Sequence, residues 1–277
     1  MRAIAGLTLR EMLRRRATLT LAIAVLAFIA LSGWAFHALV HSYGPAGEAR
    51  LYASEQLVFV MLVFSGMLAL TASFLSASAI SPELESGVAI SLLARPLTRS
   101  GYVLGKWLGL AALVACFSLL SGALELLVAF WSAGFVPPDP LAALAALGAQ
   151  ALVLMTLGLW LSTRLSSITA AILSVALFFL AWMAGVGGAL GVALHNSTLQ
   201  VAGAVSQLAV PTNGLWQAAE YYLEPPSVVA ILHLKGIVGA DPFVAASPEP
   251  TAFYIWCALW VAGVAGAAVW SLRRRDF

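Results

Sequence analysis

The stretch ISPELESGVAISLLARPLTRSGYVLGK, residues 80–106, gathers Glu83, Glu85, Arg95, Arg99 and Lys106 in a chain that is only 9% charged. Opposite charges sit near its two ends, and an apolar set (Val88, Ile90, Leu92, Leu93) lies between them. Ser81 suits a helix cap and Pro82 the first helical position, while Glu83 and Glu85 complement the positive end of a helix dipole. Arg95 precedes Pro96, which stops a helix there. The spacing predicts a short helix over 81–95, softened or broken at Gly87. Such a helix either docks a protein partner or rests on lipid headgroups. The end of the stretch, GYVLGKW, is not a phosphate-binding loop. Its glycines are one residue too close, and Trp107 stands where a Ser or Thr would meet magnesium.

The remaining candidates are isolated. Glu125, in SLLSGALELLVAFW, is the one carboxylate deep in an apolar run. It reads either as a substrate-contacting or helix-breaking group, or as a structural carboxyl near the outer end of a long helix, with Ser118, Ser121 or Trp131 near by. His37 and His41, spaced i, i+4, could share a helix face and hold a metal. No carboxylate or cysteine sits at ligand spacing beside them, so interfacial histidines are the plainer reading. Cys116 and Cys257 lie in apolar runs, and there is no CxxC. No Ser/His/Asp arrangement, paired carboxylates or metal cluster emerges. We expect no enzyme site, no metal and no cofactor in the chain itself.

The elements that must position these residues follow from composition. Of 277 residues, 62% are hydrophobic, against 45–50% in soluble domains. One core cannot hide so much apolar surface, so most of the chain should lie in lipid. A net charge of +2 is too small to argue for nucleic acid. Six apolar runs, roughly 19–40, 56–80, 103–133, 141–163, 168–193 and 253–272, are each long enough to span as a helix. The third is longer than needed and should tilt, bend or project. The first is too long for a signal-peptide core.

With the N-terminus inside, the inner segments hold Arg2, Arg10, Arg14, Arg15, Arg16, Arg95, Arg99, Lys106, Arg164, Arg273, Arg274 and Arg275, twelve of the fourteen Lys and Arg. Only Arg50 and Lys235 fall outside. The positive-inside rule then places both termini and the 80–106 connector in the cytoplasm. RAIAGLTLREMLRRR at the N-terminus reads as an amphipathic surface helix, with a plain basic flank as the alternative. Residues 194–252 form a large outer segment: Thr212 and Asn213 cap an amphipathic LWQAAEYYL, SVVAILHLKGIV is re-entrant or interfacial, and DPFVAASPEP is extended. Gly187 and Gly191, spaced G-x-x-x-G in the fifth run, permit either close helix packing or bending.

Glu83, Gly87, Leu92, Leu93, Arg95, Pro96, Leu97, Thr98, Arg99, Tyr102, Val103, Gly105 and Lys106 together form a pattern. It resembles the cytoplasmic connector after the second span in type-2 ABC transporter permeases. The basic N-terminal helix, six spans, large outer segment and RRRDF tail resemble that family too. The resemblance implies a single permease domain over residues 1–277 and a connector (81–101) that acts as a coupling helix on a separate ATP-binding subunit. It implies that ATP and magnesium belong to that partner. Glu83, Glu85, Gly87, Arg95 and Arg99 are the docking residues it points to, and the fifth span, with Gly187 and Gly191, is its dimer contact. It further implies a homodimer in the inner membrane of a bacterium or archaeon, surrounded by lipid and working as an exporter by alternating access. A secondary transporter or channel, or a membrane anchor, are the alternatives. The substrate stays open.

Overall fold

In lipid, apolar surface does not choose among helix neighbours; close approach and satisfied polar groups do. The computed structural model describes residues 2–43, 48–86, 98–226, 230, 244–245 and 247–274. Gly87, Arg95 and most of SVVAILHLKGIV lie outside these, as does the end of the tail. Among the described residues the chain is all helix: α1 (Arg2–Arg14), α2 (Arg16–Tyr43), α3 (Glu48–Ala77), α4 (Ser81–Glu85), α5 (Arg99–Ala133), α6 (Pro140–Ser162), α7 (Ser167–Ala193), α8 (Ser197–Ala209), α9 (Thr212–Leu223) and α10 (Thr251–Arg273). Six of them, α2, α3, α5, α6, α7 and α10, are long and apolar enough to cross a membrane, as the composition demands.

The centre is α6. Its sequence, LAALAALGAQALVLMTLGLWL, is apolar on every side, which is the pattern of a helix buried all round. It touches α3, α5, α7, α9 and α10. Asp139 caps its start, accepting from the Ala142 N–H at 3.1 Å, and Pro140 needs no donor at the first turn. The expected long third run is the continuous α5. Thr98 caps its start, accepting from Gly101 N at 3.1 Å, and Gly134 ends it at φ 65°. At 1.5 Å per residue its 35 residues reach about 52 Å, well beyond a hydrocarbon core of about 30 Å. A straight helix of that length must tilt, thicken the bilayer around it or project from it.

Helix α1 turns its Ile4, Thr8 and Met12 stripe onto the bundle, while Leu7, Arg10 and Leu13 stay exposed. Its backbone crosses α5 at Gly109, where a Cβ would lie 2.6 Å from the Ala5 carbonyl oxygen. The amphipathic helix is thus present, seated on protein along one face.

The outer segment departs from its sequence reading. It contains α8, which the sequence reading did not anticipate. At the α7–α8 corner the Asn196 N–H bonds the Gly191 carbonyl and the His195 N–H bonds that of Val192. His195 takes a left-handed φ of 53° there, a helix stop usually given to glycine. The Asn196 side chain then caps α8. Two indoles of α10 close the far end of α8: Trp256 and Trp260 donate to the carbonyls of Leu208 and Ala209 at 3.0 and 2.8 Å. Helix α9 starts at Thr212, with Pro211 rather than Thr212 or Asn213 before it, and most of its residues are buried. The LWQAAEYYL stretch is therefore packed against α6, α7 and α3 instead of lying at an interface.

Replacing Gly109 with leucine should lift α1 from its seat, because the clash is with backbone. Limited trypsin digestion would read this as faster cleavage at Arg10 and Arg14 than in wild type; unchanged protection would show that α1 is held elsewhere.

Candidate functional site

The arginine-rich ends of the helices meet on one face. Arg15, at the break between α1 and α2, donates to the Ser78 carbonyl at 3.0 Å. Arg99, at the start of α5, donates to the carbonyls of Leu272 and Arg273 at 3.3 and 2.9 Å. Arg164, between α6 and α7, donates through Nε to Ser271 Oγ at 2.6 Å, and Thr163 Oγ1 donates to the same oxygen at 2.9 Å. These cations sit on the ends of α3 and α10, where carbonyls lack helical partners and the dipole is negative.

The centre of this face is a charged knot. Glu83, on α4, accepts from Lys106 Nζ with Oε1 and from the Tyr102 hydroxyl with Oε2. Lys106 also donates to the Ala79 carbonyl at 2.5 Å. Tyr102 and Lys106 are 2% and 3% exposed, deep enough that removing either partner strands a polar group. The local reason is periodicity: Tyr102 and Lys106 are i, i+4 on α5, so both reach one carboxylate across the α3–α4 turn. That turn brings Glu83 within reach, because α4 begins directly after residues 78–80.

This geometry sorts the expected docking residues. Glu83 and Arg99 are engaged inside the chain. Glu85 is exposed, its Oε1 accepting from Ser81 Oγ at 2.9 Å. Ser81 is thus the first residue of α4, with Ile80 at the cap position and no side-chain cap. Gly87 and Arg95 lie outside the described residues. The sequence reading named Tyr102 and Lys106 in the motif but gave them no role. Their i, i+4 spacing was the available signal.

Glu125 is fully buried and does not meet Ser118, Ser121 or Trp131. Its Oε1 lies 2.5 Å from Ser32 Oγ of α2, and Ser32 Oγ lies 2.8 Å from the Ile29 carbonyl. Ser118 and Ser121 bond instead to carbonyls of their own helix, and Trp131 is 75% exposed. One hydroxyl proton cannot serve two acceptors, so both bonds are made only when the carboxyl carries a proton of its own.

The two glycines of α7 face different ways. A Cβ on Gly191 would meet Leu199, Gln200 and Asn196 of the same chain within about 3 Å, whereas nothing lies within 4 Å of Gly187. The close approach at Gly191 therefore serves the α7–α8 corner. Near it, a cleft is lined by Gln200, Gln207, Asn213 and Gln217. Gln207 Nε2 donates to Glu249 Oε1 at 3.0 Å, and burial holds the Glu249 carboxyl above the usual range. His37 and His41 pack edge to face, 4.3 Å between ring centres, and no group of three metal-ligating residues occurs among the described residues.

A family model described as ABC-2 family transporter protein matches residues 2–277. No curated protein matches the chain.

Four variants test the two buried pairs. Lys106→Met strands Glu83 and should cost about 3 kcal/mol, seen as a lower unfolding temperature in detergent. The double variant Lys106→Met/Glu83→Gln should recover part of it, and additive losses would show that the pair does not interact. Ser32→Ala should cost about 1–2 kcal/mol by stranding the Glu125 carboxyl, while Glu125→Gln, which keeps a donor, should stay close to wild type.

Proposed function

The chain belongs to the ABC-2 transporter family, and on that premise we propose that it is the permease subunit of an ATP-driven exporter. The observation that supports this most is the α4 knot. A connector that only joined two spans would need a few polar residues. Here a short helix is tied by Glu83 to Lys106 and Tyr102 of α5, with Glu85 left facing outward. A push on α4 is thereby a push on α5.

In this reading a cytoplasmic ATP-binding subunit docks on Glu85 and on the adjoining connector with Gly87 and Arg95. ATP and magnesium sit in that subunit. Glu83 transmits its movement, and Arg99 carries it to the end of α10. ATP can drive the permease only if the ATP-bound partner prefers one permease state over the other. The arginine-rich face is cytoplasmic by the positive-inside rule, with both termini there and the outer segment on the far side of the inner membrane.

Two copies pair through the exposed face of α7, where Ile172, Phe179, Met183 and Leu190 form a stripe and Gly187 leaves room. The single permease domain runs over residues 1–277. We assign Glu125 to holding α2 against α5 rather than to touching substrate, because it is fully buried and one of its oxygens is bonded to Ser32.

The test is gentle solubilisation of native membranes with a tagged chain. A soluble subunit bearing a phosphate-binding loop should co-purify. Glu85→Arg, at an exposed position, should cut its recovery about tenfold while the permease stays folded. Absence of any ATPase with the wild-type chain, under conditions that keep a known permease complex together, overturns the reading.

A further inference from the structure

The cleft of about 230 Å³ between α7, α8 and α9 has a lining unlike the rest of the molecule. Gly185, Gly188, Ala189 and Val192 line it at i, i+3, i+4 and i+7, which is one face of α7. The exposed stripe of Ile172, Phe179, Met183 and Leu190 lies on the opposite face. Backbone forms the floor, since a Cβ on Gly203 would lie 2.9 Å from the Gly188 Cα. Small residues keep the space open, and four carboxamides line it: Gln200 and Gln207 of α8, and Asn213 and Gln217 of α9.

Hydrogen bonds within the chain commit one end of three of these amides. Gln200 Nε2 donates to the Gly191 carbonyl at 3.0 Å. Gln207 Nε2 donates to Glu249 Oε1 at 3.0 Å and lies 3.5 Å from Gln217 Oε1. An amide whose nitrogen donates keeps its oxygen as an acceptor, and one whose oxygen accepts keeps its nitrogen as a donor. Gln200 and Gln207 therefore offer acceptors, and Gln217 offers a donor. Asn213 is 6% exposed and makes no side-chain hydrogen bond among the described residues, so it offers both. Its carboxamide occupies the place a Cβ on Gly185 would need. A buried amide left unbonded is costly, so water or a ligand must meet it.

We propose that this cleft binds a single neutral sugar ring through its hydroxyls. A hydroxyl donates and accepts at once, as the mixed set of open amide ends requires; an ionised carboxylate only accepts and an ammonium only donates. Neighbouring hydroxyls on a ring present a donor beside an acceptor, the pair that one carboxamide meets. The volume falls below the range of about 300–1,000 Å³ for drug-sized pockets, so it admits one ring rather than a chain. The apolar C–H face of the ring rests on Gly188, Ala189 and Gly203. A free sugar and the sugar headgroup of a lipid carry the same hydroxyls. The proposal does not depend on the ATPase reading.

The full chain would be placed in phosphatidylcholine nanodiscs, free of sugar-headed detergent, and titrated with methyl β-glucoside by saturation-transfer NMR. The Kd should be about 1 mM, the affinity of roughly four net hydrogen bonds. Methoxytetrahydropyran, the same ring stripped of its hydroxyls, should bind at least about tenfold more weakly. Gln200→Leu and Gln217→Leu should each weaken the sugar about fivefold. Gly185→Ala, which displaces the Asn213 carboxamide, should do so by about the same factor. Arg10→Gln, on exposed α1, should change nothing. Gln200 is exposed, so its variant decides even where one nearer the core fails to fold. Competition by glucosyl diacylglycerol in the disc would assign the ring to a lipid headgroup, and failure to compete would assign it to a free sugar; both uphold the proposal. Equal binding of the stripped ring overturns it, as does unchanged affinity in Gln200→Leu and Gln217→Leu. No binding of methyl β-glucoside at about tenfold above that Kd leaves the cleft to water and also overturns it. A preference for N-acetylalanine methylamide over the sugar would assign the cleft to peptide and overturn it too.

Discussion

Lys106 is an ammonium with almost no access to water, and the arginine-rich face of the molecule is arranged around that fact. A buried charge is tolerable only when paired and hydrogen-bonded. Its partners are the Glu83 carboxylate of α4 and the Ala79 carbonyl of the preceding turn, and Tyr102 of its own helix donates to the same carboxylate. The α3–α4 turn must therefore fold back over α5 in one register. The pair adds little net stability over an apolar substitute, since desolvation offsets attraction. What it supplies is position: it fixes where α4 sits, and so where Glu85 is presented.

The rest of that face follows a related rule. Helix dipoles leave negative carbonyls at the ends of α3 and α10, and Arg15, Arg99 and Arg164 complete them. The charge asymmetry that orients a membrane protein and the cations that cap its helix ends are thus the same residues. One consequence is mechanical. The α1–α2 break, the α3–α4 turn, the start of α5, the α6–α7 connector and the end of α10 are bonded to one another by side chains. They are not merely adjacent in lipid.

The opposite half shows a different style of contact. There the chain uses close backbone approach, as where Gly188 of α7 meets Gly203 of α8, and neutral donors such as the indoles of Trp256 and Trp260. Glu125 and Ser32 add a buried hydrogen bond between α2 and α5. Cross-linked cationic helix ends mark one face, and close backbone approach with indole donors marks the other.

The sequence by itself determined the solvent and the number of crossings. Composition forces most residues into lipid, lipid forces helices, and run length and breaker residues mark most of their ends to within a few positions, though α3 starts at Glu48, well before the expected 56. It also determined the connector as the place where charge concentrates, since a scarce residue type is conspicuous. It could not decide which charges face inward. Glu83 and Glu85 are equivalent as letters, and only the α3–α4 turn sends one to Lys106 and the other to solvent. Gly187 and Gly191 share a motif, yet one is open and the other is filled by the α7–α8 corner. Helix α8 escaped notice because the stop that separates it from α7 is a left-handed histidine rather than a glycine. The partner of Glu125, Ser32, lies ninety-three residues away, and a contact so distant in the chain is set by how helices pack, which no local pattern records.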